Sequence, residues 1–210
     1  MKAILTAAIL AGPILLGLSG CGVYRQATSA RPDTTQPWRT IATDRDRERL
    51  REWHKAWDEA LPLARAAEPE AIAADTLLFD PDRAMGGAAL PPGKYRCRTY
   101  KLGVSGTAMR DFTAYPAFDC AVTEEGDVDS FQMRTGTQRP AGLLFAETDA
   151  RTIFIGTLVL GDEATPLRYG LDRRRDMIGY VERIAERRWR LVLPYPNFQS
   201  KLDIIELVPA

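Results

Sequence analysis

The sequence predicts an α+β protein: an N-terminal helical section packed on an antiparallel, roughly eight-stranded β-barrel or sandwich. Three observations carry this. Apolar residues recur at helical spacing between Trp38 and about Asp80, and from Lys94 the period changes to strict alternation. The alternating segments then follow one another through short polar turns, the pattern of hairpin-connected strands.

The helical section starts near Trp38. Thr43 is placed to cap a helix, with Asp46 three residues on. Leu50, Trp53, Trp57 and Leu61 then fall on one face, where two tryptophans are expected to pack in a core. Pro62 should kink or end that helix near Ala60, since proline removes a hydrogen bond and crowds the preceding turn. Pro69 suits the first turn of a second helix over 70–78. Residues 85–93 form a Gly/Pro-rich connector.

In the first strand Tyr95, Cys97 and Thr99 share a face, and in the next Phe118, Cys120 and Val122 do. Six more strands are expected at 128–134, 141–147, 152–160, 177–184, 188–193 and 202–208. The stretch 153–160 is apolar on both faces, so its outer side should be covered, with the Trp53/Trp57 helix as the cover.

Ahead of this body stands a different kind of segment. Lys2 is the only charge before Cys21, and an apolar run interrupted by Gly12-Pro13 leads to Leu18-Ser19-Gly20-Cys21. The run is too short and too broken for a membrane span, which needs about 20 apolar residues, and it has the three-part form of a targeting peptide. Leu-Ser-Gly-Cys resembles the lipobox of bacterial lipoproteins. That resemblance implies cleavage before Cys21, lipidation of its thiol and acylation of the new amino terminus. Gly22, standing where an aspartate would signal inner-membrane retention, directs the expectation to the periplasmic face of the outer membrane, with the inner membrane or periplasm as alternatives. The division is then 1–20 signal peptide, 21–37 lipidated cysteine and tether, and 38–210 a single domain, helical over 38–80 and β-rich over 93–210. As a coil the tether spans roughly 20–25 Å.

Composition narrows the function classes. Lys+Arg and Asp+Glu both number 28, and a neutral chain argues against a nucleic-acid partner, which calls for a basic face. With lipid on Cys21, Cys97 and Cys120 remain as a pair, and in an oxidising compartment such a pair is expected to be a disulfide. It would close a loop of about 23 residues and contribute roughly 3 kcal/mol. Two separately buried thiols are the alternative. His54 is the sole histidine and sits among charges on a helix, so zinc sites and histidine-based nucleophilic triads lack their parts. No cofactor is expected.

Catalytic motifs are missing too. Gly103-Val104-Ser105-Gly106 is one residue short of a nucleophile elbow. Gly93-Lys94 lacks P-loop spacing. Glu124 and Glu125 belong to a turn, and Asp203 and Glu206 lie on opposite faces of the last strand, all with expected surface roles. The loops at 135–140, 160–163, 172–176 and 194–198 are more suggestive. Clustered at one barrel end, they would bring Arg139, Asp162, Glu163 and Tyr195 to a shared mouth as a binding site, or leave Arg139 in a structural ion pair with Asp162 or Glu163.

Four segments, Gly93–Thr99, Gly136–Phe145, Leu158–Glu163 and Asp203–Pro209, together with the Trp38–Trp57 helix, resemble an uncharacterised family of proteobacterial envelope proteins catalogued as a domain of unknown function. The resemblance covers most of the chain after Cys21 and supplies no catalytic residues. The expected function is a lipid-anchored, periplasm-facing, non-enzymatic module. Its partners would be the membrane, through its anchor, and an envelope protein or small ligand. A carboxylate-based hydrolase of envelope polymers and a periplasmic proteinase inhibitor are the alternatives, the latter on fold analogy alone. Cys21→Ala is expected to move the protein from the membrane to the soluble fraction, read by fractionation and immunoblotting.

Overall fold

A computed structural model describes residues 37–104 and 110–210. The signal segment, Cys21 and the tether lie outside the described residues, apart from Pro37. Eight strands form a closed barrel in which each pairs antiparallel with the next and the last with the first: β1 (Gly93–Val104), β2 (Phe112–Glu125), β3 (Val128–Met133), β4 (Gln138–Thr148), β5 (Arg151–Leu160), β6 (Asp176–Ala185), β7 (Arg188–Pro194) and β8 (Ser200–Pro209). Of the two expected architectures, barrel and sandwich, the chain forms the barrel.

Alternation sorts the side chains into two apolar clusters. Tyr95, Cys97, Cys120, Phe131, Phe154, Trp189, Leu191 and Leu207 fill the interior towards one end, where Leu90 of the connector packs with them. Tyr100, Leu102, Ile178, Tyr180, Val192, Leu202 and Ile204 point outward and are covered by helices. These are α1 (Pro37–Ile41), α2 (Asp44–Arg51), α3 (Trp53–Ala67) and α4 (Pro69–Ala73). Ile153 and Ile155 of β5 join the same outer cluster, as does Trp57, while Trp53 packs against it. The outer side of the doubly apolar strand is therefore covered, as its sequence requires.

Two helical expectations are corrected. Helix α3 runs through Pro62 to Ala67 instead of stopping near Ala60. Pro62 and Asp58, the residue whose carbonyl loses its bond, are both exposed, so water can serve that carbonyl. Meanwhile Ala56, Trp57, Ala60, Leu61 and Ala64 are buried on the opposite face, and packing of that stripe outweighs the break. The second helix ends at Ala73, short of 78, and turns carry the chain on to Leu78. Pro69 does occupy its first turn. The Thr43 cap forms, its side chain accepting from the Asp46 amide.

Cys97 and Cys120 form a disulfide on the interior face of β1 and β2, with Cα atoms 6.0 Å apart. Higher on the same pair, Arg98 faces Ala117 but Tyr100 faces Ala114, so β2 carries an extra residue. This bulge accommodates Pro116, which has no N–H to give. It also changes the phase of β2: Phe118 points inward below the bulge, yet Phe112 joins the outer cluster above it.

A buried charge network helps to fasten the helical layer. Arg190 on β7 and Glu182 on β6 are both wholly buried and pair at 2.7 Å. Arg190 also donates to the carbonyls of Leu78 and Asp80 at 2.8 and 2.7 Å, and the second Glu182 oxygen accepts from Arg151 at 2.8 Å. Above it the Trp57 indole donates to the Tyr180 hydroxyl at 2.9 Å. Glu182→Gln strips the charge opposite a buried guanidinium. It is expected to cost about 3–5 kcal/mol, measured by urea unfolding against wild type.

Candidate functional site

The up-and-down topology puts the connections 134–137, 161–175 and 195–199 at one end of the barrel, opposite the end filled by Leu90, Tyr95 and Trp189. There the interior is not filled. A cavity of about 100 Å³ enters between these loops, room for about three water molecules or one small organic group.

Its walls differ in character. Leu158, Met177, Leu193 and Ile205 make the apolar side, and Tyr115, Phe118 and Phe198 add aromatic rings. Tyr115 owes its place among them to the β2 bulge, which lies beside it in the register. The polar side is built on β1 and β8, where Lys101 and Asp203 stand directly opposite each other. Lys101 continues the inward phase of Tyr95, Cys97 and Thr99, and Asp203 that of Ile205 and Leu207. The pair is almost completely buried, with Nζ donating to Oδ2 at 2.7 Å. Ser200 donates to the other carboxylate oxygen. Burial pushes the Asp203 carboxyl above its ordinary range, against the lowering effect of Lys101 and Ser200.

Asp203 thus corrects the expectation of a surface role, although it and Glu206 do point to opposite faces. The signal was present in the sequence: an ionisable residue stands at the inward phase of each of two neighbouring strands, the phase set by Tyr95 and Cys97 in one and by Ile205 and Leu207 in the other. A charge in such a place requires a partner, and Lys101 supplies it.

A third charged residue, Asp176, borders the cavity at the start of β6, but it is one residue out of phase with the inward Met177 and is 3% exposed. One carboxylate oxygen accepts from the Gly170 amide at 2.9 Å. The other is buried without a hydrogen-bond partner. Burial raises this carboxyl, and the nearby Asp46 carboxylate adds to the shift against the lowering effect of the Gly170 N–H.

The four residues expected at the mouth are placed as follows. Arg139 is one residue out of phase with Pro140, which lines the cavity, and its guanidinium donates to the carbonyls of Gly136, Gly161 and Glu163 at 2.7, 2.5 and 2.6 Å. The Arg139–Glu163 contact is thus to the backbone. The Glu163 carboxylate instead accepts from the Leu160 amide at 3.0 Å and pairs with Arg175 at 2.6 Å, and these contacts hold it below the usual carboxylate range. Asp162 is exposed. Arg139 and Glu163 therefore tie two mouth loops together. Tyr195 adopts φ +44°, rare for a side chain other than glycine, and its ring packs against the helix-covered cluster. Burial and the neighbouring Glu59 carboxylate push its hydroxyl up to about 12. The cavity lining comes from the neighbours of these residues: Thr137, Gln138, Pro140, Arg175, Asn197 and Phe198. His54 lies exposed on α3, 3.4 Å from Asp82. Among the described residues no cluster of His, Cys, Asp and Glu is arranged to hold a metal ion.

These features define a helix-covered, up-and-down β-barrel with one filled end and, at the other, a small cavity of mixed polarity. The chain matches the model of a family described as Domain of unknown function (DUF4893) over residues 38–207, and it belongs to that family. No curated protein and no solved structure matches it.

Lys101→Met leaves Asp203 buried without its counter-charge. At neutral pH the variant is expected to lose about 3–5 kcal/mol. An aspartate with a raised folded-state pKa costs stability as pH rises above its unfolded value and costs nothing below it. The loss should therefore shrink as the pH is lowered towards the ordinary carboxylate range, checked by urea unfolding at a series of pH values.

Proposed function

We propose that this protein is a lipid-anchored, periplasm-facing envelope module that binds a small amphipathic ligand in its barrel mouth without transforming it. The observation that carries the binding reading is the cavity between Lys101–Asp203 and the apolar wall of Leu158, Met177 and Leu193. A packed barrel gains stability by filling such a space with side chains. An unfilled end with a buried charge pair on its wall fits a site kept open for a ligand with one polar and one apolar edge. The envelope reading is supported by the Lys2-to-Cys21 pattern and by the Cys97–Cys120 bridge, which suits an oxidising compartment. The outer membrane is the proposed site, on the strength of Gly22 after the cysteine.

The hydrolase reading draws on Asp176 and Asp203, two acidic residues bordering one cavity, of which Asp176 lies in the outward phase of its strand. Against it, both Asp203 oxygens are engaged, by Lys101 and Ser200. A space of about 100 Å³ also admits a single small group better than a polymer.

Leu158→Trp puts an indole into the cavity. Wild type is expected to show saturable methyl chemical-shift changes at Met177 with small amphipathic fragments, and this variant to show none while keeping its fold. Equal responses in both proteins would remove the cavity as the binding site.

A further inference from the structure

We infer that the mouth cavity takes a small carboxylic acid in its ionised form, with Arg174 at the rim meeting the carboxylate. The inference rests on the cavity being a ligand site and adds the chemistry of what enters it.

The charges presented to the cavity leave one cation over. Lys101 is matched by Asp203. Arg175 pairs with Glu163 and lies 3.4 Å from Asp172. Arg174 also lines the cavity and is exposed. Its backbone N–H donates to the Asp172 carboxylate at 2.9 Å, but its guanidinium has no carboxylate partner among the described residues. Neither acid of the lining supplies one. Both Asp203 oxygens are engaged, by Lys101 and Ser200. Asp176 is out of phase with the inward Met177 and stands beside Arg49 of α2, whose own charge is matched by Asp46. The opening therefore holds one unmatched positive charge. A single guanidinium suits a planar, singly charged carboxylate, which it can hold through two parallel N–H donors.

The uncharged polar groups favour the same ligand. The hydroxyls of Thr99, Tyr115 and Thr137 and the amide of Gln138 line the cavity, and none of these side chains is hydrogen-bonded among the described residues. Each can donate, whereas an ionised carboxylate only accepts. An ammonium ligand would instead need a charged acceptor, and the two aspartates are committed elsewhere. Leu158, Met177 and Leu193 offer a wall for the hydrocarbon body, and a space of about 100 Å³ limits that body to a short chain.

The test uses three probes of one shape, isovalerate, isoamyl alcohol and isoamylamine, titrated at neutral pH into the full-length chain and followed by calorimetry and by the Met177 methyl signal. Isovalerate is expected to bind most tightly. Its affinity should fall as salt is added, since an exposed ion pair is screened, while that of the alcohol holds. Arg174→Gln, a change at an exposed turn position, should weaken isovalerate by about fivefold and leave the alcohol unchanged. Isoamylamine binding as tightly as isovalerate, or an isovalerate affinity unaltered in Arg174→Gln, would overturn the carboxylate assignment while leaving the cavity a ligand site. Absence of binding by all three probes would overturn both.

Discussion

The most deeply buried join between the two layers of this protein is a guanidinium, that of Arg190. Arg190 stands on the outer face of β7, where a barrel covered by helices would ordinarily carry an aliphatic residue. It serves as a hub instead: Glu182 balances its charge, and the carbonyls of Leu78 and Asp80 are drawn to it from the chain that leaves α4. That chain has little regular structure of its own, and its carbonyls need donors. One arginine with five N–H groups meets several such needs at once. Trp57 lies over the same guanidinium at 5.0 Å and bonds Tyr180, so the helical stripe and the irregular segment are fixed to the same patch of β6 and β7. The arrangement carries a large desolvation cost and returns a single way of laying the helical layer on the barrel.

The two barrel ends show how one alternating pattern can yield both a core and a site. Towards the turn-closed end the inward positions are mostly filled by apolar and aromatic side chains and the two half-cystines. Towards the mouth the same phase of β1 and β8 delivers Lys101 and Asp203, and a bulge in β2 turns Tyr115 towards the opening. No change of backbone plan separates the two regions. The difference lies in side-chain choice at a few positions and in one inserted residue.

Much of this was legible from the sequence. The eight strands, the inward cysteines and the covered outer face of β5 follow from period-two alternation read against turn signals, while the shortness of most turns points to an antiparallel sheet and leaves barrel and sandwich both open. Pro62 misled because a propensity argument cannot see that the lost carbonyl partner falls on the solvent side of α3. The site was legible in place more than in person. Loops 135–140, 160–163, 172–176 and 194–198 do meet at one end, but reading them for conspicuous polar residues favours Arg139 and Glu163, whose bonds hold loops together. Tyr195 escaped for a different reason: a positive φ turns its ring beneath the helices, and nothing in Pro194-Tyr195-Pro196 announces it. Lys101 and Asp203 required the strand phase to be carried through to its last residues and every charge at an inward position to be questioned.

Closure of β1 on β8 has a consequence for recognition. Every strand has a neighbour on both sides, and among the described residues the longest stretch left without one is Phe112–Phe118 of β2, on its β3 side. A protein that captures others by lending them a strand, or is captured that way, needs such an edge. A partner strand would therefore have to meet this barrel beside Phe112–Phe118, and over the rest of its wall a docking macromolecule reads side chains.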